Sequence, residues 1–159
     1  MPPPIRTITG LRFAHRGGAH ELPEPSSAAA KLGLQFERRV HRELLHYQAA
    51  GALREVQHNP WFVFEDKNGV GTCCPDFLIR TAEGWALIEV KLTWVAEAER
   101  KLQALYVPVV TRALFQVPAT LVICRRLASA APPADVSLGT VLAKRAGLLV
   151  WPSNGRIPW

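Results

Sequence analysis

The chain has 159 residues, 48% hydrophobic and 20% charged, which excludes intrinsic disorder and fits one domain with a sizeable core. Lys and Arg number 19 against 13 Asp and Glu, a formal net charge of +6, and most of the positive charge is arginine, which favours a polyanionic partner. No window approaches eighteen uncharged apolar residues and the first ten residues lack the apolar run of a signal peptide, so neither a membrane helix nor a signal peptide is expected. Three cysteines without a disulfide framework make an intracellular, reducing location the expectation.

Residues 1–30 read as a loop-rich lead-in, with ITGLRF as a short strand and a basic loop at His15, Arg16, Gly17, Gly18 and His20. Ser26 or Ser27 is suited to cap a first helix. Leu32, Phe36, Val40, Leu44 and Tyr47 recur at spacings of three and four, which predicts an amphipathic helix from about Leu32 to Tyr47. Glu37 lies at the margin of its apolar stripe, with His41 one turn on. A short strand is expected at Leu53–Val56, then a turn at His58-Asn59-Pro60. Trp61–Asp66, Thr72–Arg80 and Trp85–Thr93 read as a three-stranded meander, with turns at Lys67–Gly71 and Glu83-Gly84. A helix is expected over Glu97–Tyr106, with Pro108 forcing a kink or break before Val110–Phe115. Ala119–Leu127 is a strand, Val136–Arg145 a short helix and Leu148–Trp151 a last strand. Cys73, Cys74 and Cys124 are an odd number without CxxC spacing, so neither a disulfide framework nor a zinc site follows.

The chemistry concentrates in CCPDFLIRTAEGWALIEVKLT, Cys73–Thr93. Asp76 opens one apolar run, and Glu89 and Lys91 sit inside the next. A strand alternates its faces with a period of two. Glu89 and Lys91 therefore share one face, and Ile88, Val90 and Leu92 take the other. Charges inside a buried strand require a partner, a ligand or solvent. Two carboxylates and an ammonium gathered at a hairpin can hold a hard divalent cation and activate water.

With these residues placed, the chain resembles the PD-(D/E)xK nuclease superfamily. Pro75-Asp76 matches the Pro-Asp of the motif, Glu89-Val90-Lys91 matches the Glu-x-Lys, and Glu37 matches the acidic residue often carried by the first helix. The likeness spans about residues 30–127 and is closest to small standalone phage or mobile-element nucleases. It implies an α/β fold with a restriction-endonuclease-like core, α-β-β-β-α-β, whose central mixed sheet has four or more strands and flanking helices. Residues 31–159 would form this one domain, with 128–159 as a C-terminal extension.

The resemblance implies a metal-dependent deoxyribonuclease of prokaryotic or phage-infected cytoplasm that leaves 5'-phosphate and 3'-hydroxyl ends. Asp76, Glu89 and the Val90 carbonyl would ligate Mg2+ or Mn2+, with Glu37 holding water or completing a second site. Lys91 would orient or help deprotonate the attacking water and stabilise charge on the pentavalent phosphorus. Arg38, Arg42, Lys101, Arg125 and Arg126 would neutralise phosphates, and Gln103 and Tyr106 stand near positions where many relatives face DNA.

Such a chain has no room for a separate sequence-reading domain, which favours structure-selective or partner-directed cleavage, with a targeting protein as partner. Within the enzyme class, a Holliday-junction resolvase and an exonuclease are the alternatives. A resolvase requires a homodimer, for which Leu148–Trp151 and Trp159 are interface candidates. Two non-enzymatic readings compete: a nuclease-fold subunit that binds or positions DNA without cutting, and a solvated strand pair in which Lys91 bridges Glu89 and Asp76.

Overall fold

The computed structural model describes residues 6–15 (backbone only for 12–15), 24–151 and 155–159. The basic loop expected at Arg16–His20 lies outside these residues. The fold is mixed α/β with two sheets. The larger has five strands in the order β2-β5-β6-β7-β8, and the smaller has three in the order β1-β3-β4. The strands are β1 (Ile8–His15), β2 (Glu55–His58), β3 (Trp61–Asp66), β4 (Gly69–Cys73), β5 (Phe77–Arg80), β6 (Trp85–Thr93), β7 (Ala119–Arg126) and β8 (Ala146–Val150). β5 runs antiparallel to both of its neighbours, β2 and β6, whereas β6, β7 and β8 run parallel.

Helix α1 covers Ala28–Ala49, longer than its apolar stripe by several residues at its start. Ser27 caps it, its hydroxyl accepting from Ala30 N at 3.1 Å. Gly51, at φ 86°, takes the left-handed conformation that ends the helical region. Phe36, Val40 and Leu44 are buried against one face of the large sheet, in a core that includes Phe77, Ile88, Val90 and Ile123. Helix α4 (Leu138–Lys144), capped by Ser137, adds Leu138 and Val141 to the same core. The other face of the sheet carries Leu78, Leu87, Val122 and Leu148, packed with Phe62 and Phe64 of the small sheet and with the helical segment after β6. The odd and even positions of β6 therefore serve two cores, and Glu89 follows Leu87 onto the second.

The expected meander is not what forms. Trp61–Asp66 pairs with β1 and β4 in the small sheet, and the strand beside β5 is the short β2. The run Thr72–Arg80 is broken at Cys74-Pro75-Asp76, between β4 in one sheet and β5 in the other. Pro75 has no N–H to contribute to a ladder, so the break falls where a continuous strand would lose a bond. The β3–β4 hairpin is thus an insertion between two adjacent strands of the large sheet.

After β6 the chain forms α2 (Ala96–Lys101), a π-helical turn at Leu102–Tyr106 and α3 (Val107–Leu114), with right-handed helical backbone across both junctions. Pro108 produces no break. It cannot donate to the carbonyl four residues earlier, that of Ala104, and this carbonyl instead accepts the backbone N–H of Arg6 at 3.0 Å. A helical defect thereby anchors the segment leading into β1.

Candidate active site

The site is assembled where β5 begins beside the middle of β6. Asp76 immediately precedes β5, and its Oδ2 accepts the backbone N–H of Val90 at 2.7 Å. This bond stands in for the ladder at the point where β5 has not yet started. A strand residue turns its N–H and C=O to the same side, so the Val90 carbonyl also faces the edge at which Asp76 stands. Sequence parity set Glu89 and Lys91 on the opposite face from Val90, and the two cores of the sheet agree with that division.

Glu89 is 1% exposed. Its Oε1 lies 3.4 Å from Lys91 Nζ and 3.3 Å from Lys101 Nζ, while its Oε2 is buried with no hydrogen-bond partner among the described residues. A solvated strand pair is therefore the wrong description of this carboxylate. Both lysines keep part of their side chains in solvent. Lys101 also lies 5.0 Å from the Tyr106 ring centroid.

Glu37 reaches the same place from α1. Its Oε1 is 2.7 Å from His58 Nε2, and the His58 ring stacks on Phe77, centroids 4.8 Å apart at 18°. His41, one helical turn beyond Glu37, packs against His58 at 4.4 Å. Asn59 donates its N–H to the Asp76 carbonyl at 2.9 Å, adopts a left-handed φ of 51° and leaves its buried Oδ1 without a partner among the described residues. Glu37, Arg38, His58, Asn59, Asp76 and Lys91 line one cavity of about 440 Å³.

Its electrostatics are those of a crowded acidic centre. Burial, with the neighbouring Glu89 and Glu37 adding to it, pushes the Asp76 carboxyl up to about 8, against the opposing effect of the Val90 N–H and Lys91. The His41 imidazole is held below its ordinary value by burial and by His58, against the pull of Glu37. The thiols are not activated. Burial drives Cys73 up to about 12 and Cys74 to about 11, and all three cysteines are free.

Other expected contacts separate into groups. Arg38 and Arg42 are exposed on α1, with Arg38 at the cavity, and Arg125 and Arg126 are exposed at the end of β7. Lys101, read from sequence as a phosphate contact, is directed at Glu89. Tyr106 is buried at 2% and donates its hydroxyl to the Cys74 carbonyl at 3.3 Å, a core position and not a DNA-facing one. The π turn and the tight packing under it account for this placement. Gln103 is exposed but directed to Thr120 Oγ1 at 3.1 Å, within a different cavity from Asp76. Trp151 packs on Phe36 beneath the Arg39 guanidinium and is 3% exposed, which removes it as a dimer-interface residue. Trp159 remains about half exposed beside Tyr47.

His58 and Asn59 are the site residues that the sequence reading left in a turn. The signal available was the short strand just before them, whose extension to His58 brings that histidine opposite Phe77. No family model, curated protein or solved structure matches this chain.

Proposed function

We propose that this chain is a metal-dependent deoxyribonuclease with a restriction-endonuclease-like core. The order α1, β2, β5, β6, the helix after β6 and β7 supports that core, with the β3–β4 hairpin as an insertion. The observation that carries the activity is the buried Glu89 Oε2, an unpaired carboxylate oxygen beside a second carboxyl, Asp76, that burial and its acidic neighbours make costly to ionise. Like charges so arranged are relieved by a cation.

The donor set suits a hard ion: oxygens from Asp76, Glu89 and the Val90 carbonyl, with water completing the shell. Among the described residues no group of three or more His, Cys, Asp or Glu stands ready to enclose a metal, so Glu37 is assigned to hold water at the rim. When bound, Mg2+ or Mn2+ would supply charge stabilisation to the phosphoryl oxygens.

The chain's own residues divide the remaining work. Lys91 Nζ, anchored at Glu89 Oε1, orients the attacking water and stabilises the negative charge that develops at phosphorus. Glu37, fixed by His58, positions water from the α1 side. Arg38 at the cavity, with Arg42, Arg125 and Arg126 on the exposed flanks, neutralises the phosphate backbone without reading bases. The cleavage leaves a 5'-phosphate and a 3'-hydroxyl.

The test compares linear, nicked, branched and single-stranded DNA in Mg2+ and in Mn2+, with end analysis of the products. Metal-dependent cleavage of at least one form, ending in 5'-phosphate, is expected. Binding without cleavage under every metal would leave a positioning subunit in its place.

A further inference from the structure

The two lysines on Glu89 line different openings. Lys91 lines the cavity of about 440 Å³ on the Asp76 side. Lys101 lines a second groove, of about 640 Å³, bounded by the β3–β4 turn and α2. The two ammonium groups meet at one oxygen, Glu89 Oε1, at 3.4 and 3.3 Å. The groove is therefore continuous in charge with the site, and Lys101 belongs to both.

The groove contains Arg6, Lys67, Arg100 and Lys101 against Asp66 and Glu97. The two acids do not quench it. Asp66 holds Arg6 at 3.0 Å and Glu97 holds Arg100 at 3.3 Å. The Arg6 and Arg100 side chains remain 48% and 54% exposed. A guanidinium has five N–H donors in a fixed fork, so an arginine oriented by one carboxylate keeps others for phosphate. Lys67 is exposed on the turn itself. Among the described residues, none of the aromatic side chains that stack on bases lines this groove.

We propose that this groove is the path along which the phosphate backbone of a nucleic-acid strand passes away from the site, held by Arg6, Lys67 and Arg100 and handed to the centre by Lys101. The inserted hairpin then has a purpose: it raises one wall of a channel that the large sheet alone lacks. The assignment of the strand as nucleic acid rests on the nuclease reading. The contact is to backbone, so it is independent of sequence.

The experiment measures the affinity of the full chain for a fluorescein-labelled duplex, and for one of its strands, by anisotropy across a salt series in chelator. Wild type is compared with Lys67→Gln/Arg100→Gln and with Asp76→Asn. The double variant is expected to bind about tenfold more weakly, with the slope of log affinity against log salt reduced by about two for loss of two phosphate contacts. Asp76→Asn is expected to keep the wild-type slope. The substituted residues are exposed, and matching thermal melting of the double variant checks its fold. If the double variant does not melt as wild type, each single variant is expected to lower the slope by about one. Unchanged affinity and slope in correctly folded variants would overturn the groove, as would a wild type that binds an acidic peptide but neither DNA form. Failure of the nuclease reading looks different: groove-dependent DNA binding by a wild type that cuts nothing in any metal.

Discussion

The Val90 backbone N–H donates to Asp76 Oδ2 at 2.7 Å, and through this bond the start of β5 is held against the centre of β6. The bond is worth making for position, yet Asp76 remains poorly placed as an ion because it is buried and because Glu89 and Glu37 crowd it. Position and charge are in conflict here, and that conflict is what a cation removes. Asp76→Asn keeps an acceptor for Val90 and removes the charge. Its cleavage is expected to fall by orders of magnitude, while its metal-free melting temperature at pH 8 is equal to wild type or higher. A gain of about 1 kcal/mol corresponds to roughly 2–4 °C for a chain of this size. Calorimetry on both proteins decides it; a marked loss of stability would assign Asp76 a purely structural role.

The sign of the pH dependence follows from the same group. Between the ordinary carboxylate range and about pH 8, the folded chain retains a proton on Asp76 that the unfolded chain has released. Stability with respect to this group is full at low pH and falls as pH rises through that window. Metal-free wild type is expected to lose melting temperature across it more steeply than Asp76→Asn, and saturating Mg2+ is expected to flatten the difference. Thermal melts at several pH values, with and without metal, check both.

The two lysines on Glu89 are expected to differ in role. Lys91→Ala, which removes the group that orients water, is expected to lower kcat about 10²–10⁴-fold. Lys101→Ala is expected to act mainly on KM and on salt dependence, as a phosphate contact does. Steady-state kinetics on one labelled substrate separate them, and an equal loss of kcat in both would give the lysines a shared catalytic duty.

His58 holds Glu37 at 2.7 Å and is itself stacked on Phe77. His58→Ala is expected to weaken the apparent metal affinity about 10–100-fold, as loss of a group that orients a ligand or its water commonly does. His58→Gln, which can still reach a carboxylate, is expected to restore part of it. Metal titrations of activity, read alongside melting curves, distinguish this from a general loss of fold.

The π turn offers a test remote from the chemistry. Pro108→Ala supplies an N–H four residues beyond Ala104, in competition with Arg6 for the same carbonyl. The Arg6 amide is expected to exchange faster with solvent, and Tyr106, whose hydroxyl reaches Cys74, to shift as the turn tightens. Hydrogen exchange at Arg6 unchanged from wild type would show that Pro108 does not determine this attachment.

What could be read in the sequence was local. Glu89 and Lys91 share a face because a strand has period two, and the stripe Phe36, Val40 and Leu44 buries because a helix has period 3.6. Ser27 was one of two marked caps, and it is the one used. What could not be read was which strands pair. Trp61–Asp66 and Trp85–Thr93 are equally good strands, and nothing within either states that the first belongs to a different sheet. Pro75 held a clue, since a proline inside an expected strand argues against continuity. His58 was missed for the same reason: it meets Glu37 only through the pairing of β2 with β5 and the packing of α1 across them. Lys101 was recognised as basic, but its reach to Glu89 depends on the direction of α2 over the sheet.

The central claim is that Asp76 and Glu89 form one cation site, and Mn2+ diffused into crystals of the full chain tests it most directly. The nuclease reading predicts an anomalous peak about 2.0–2.6 Å from the Asp76 carboxylate and Glu89 Oε2, with the Val90 carbonyl as a further ligand. The peak should vanish in Asp76→Asn. A saturating soak that leaves Glu89 Oε2 without a metal neighbour, in a chain that still cleaves DNA, would contradict the account.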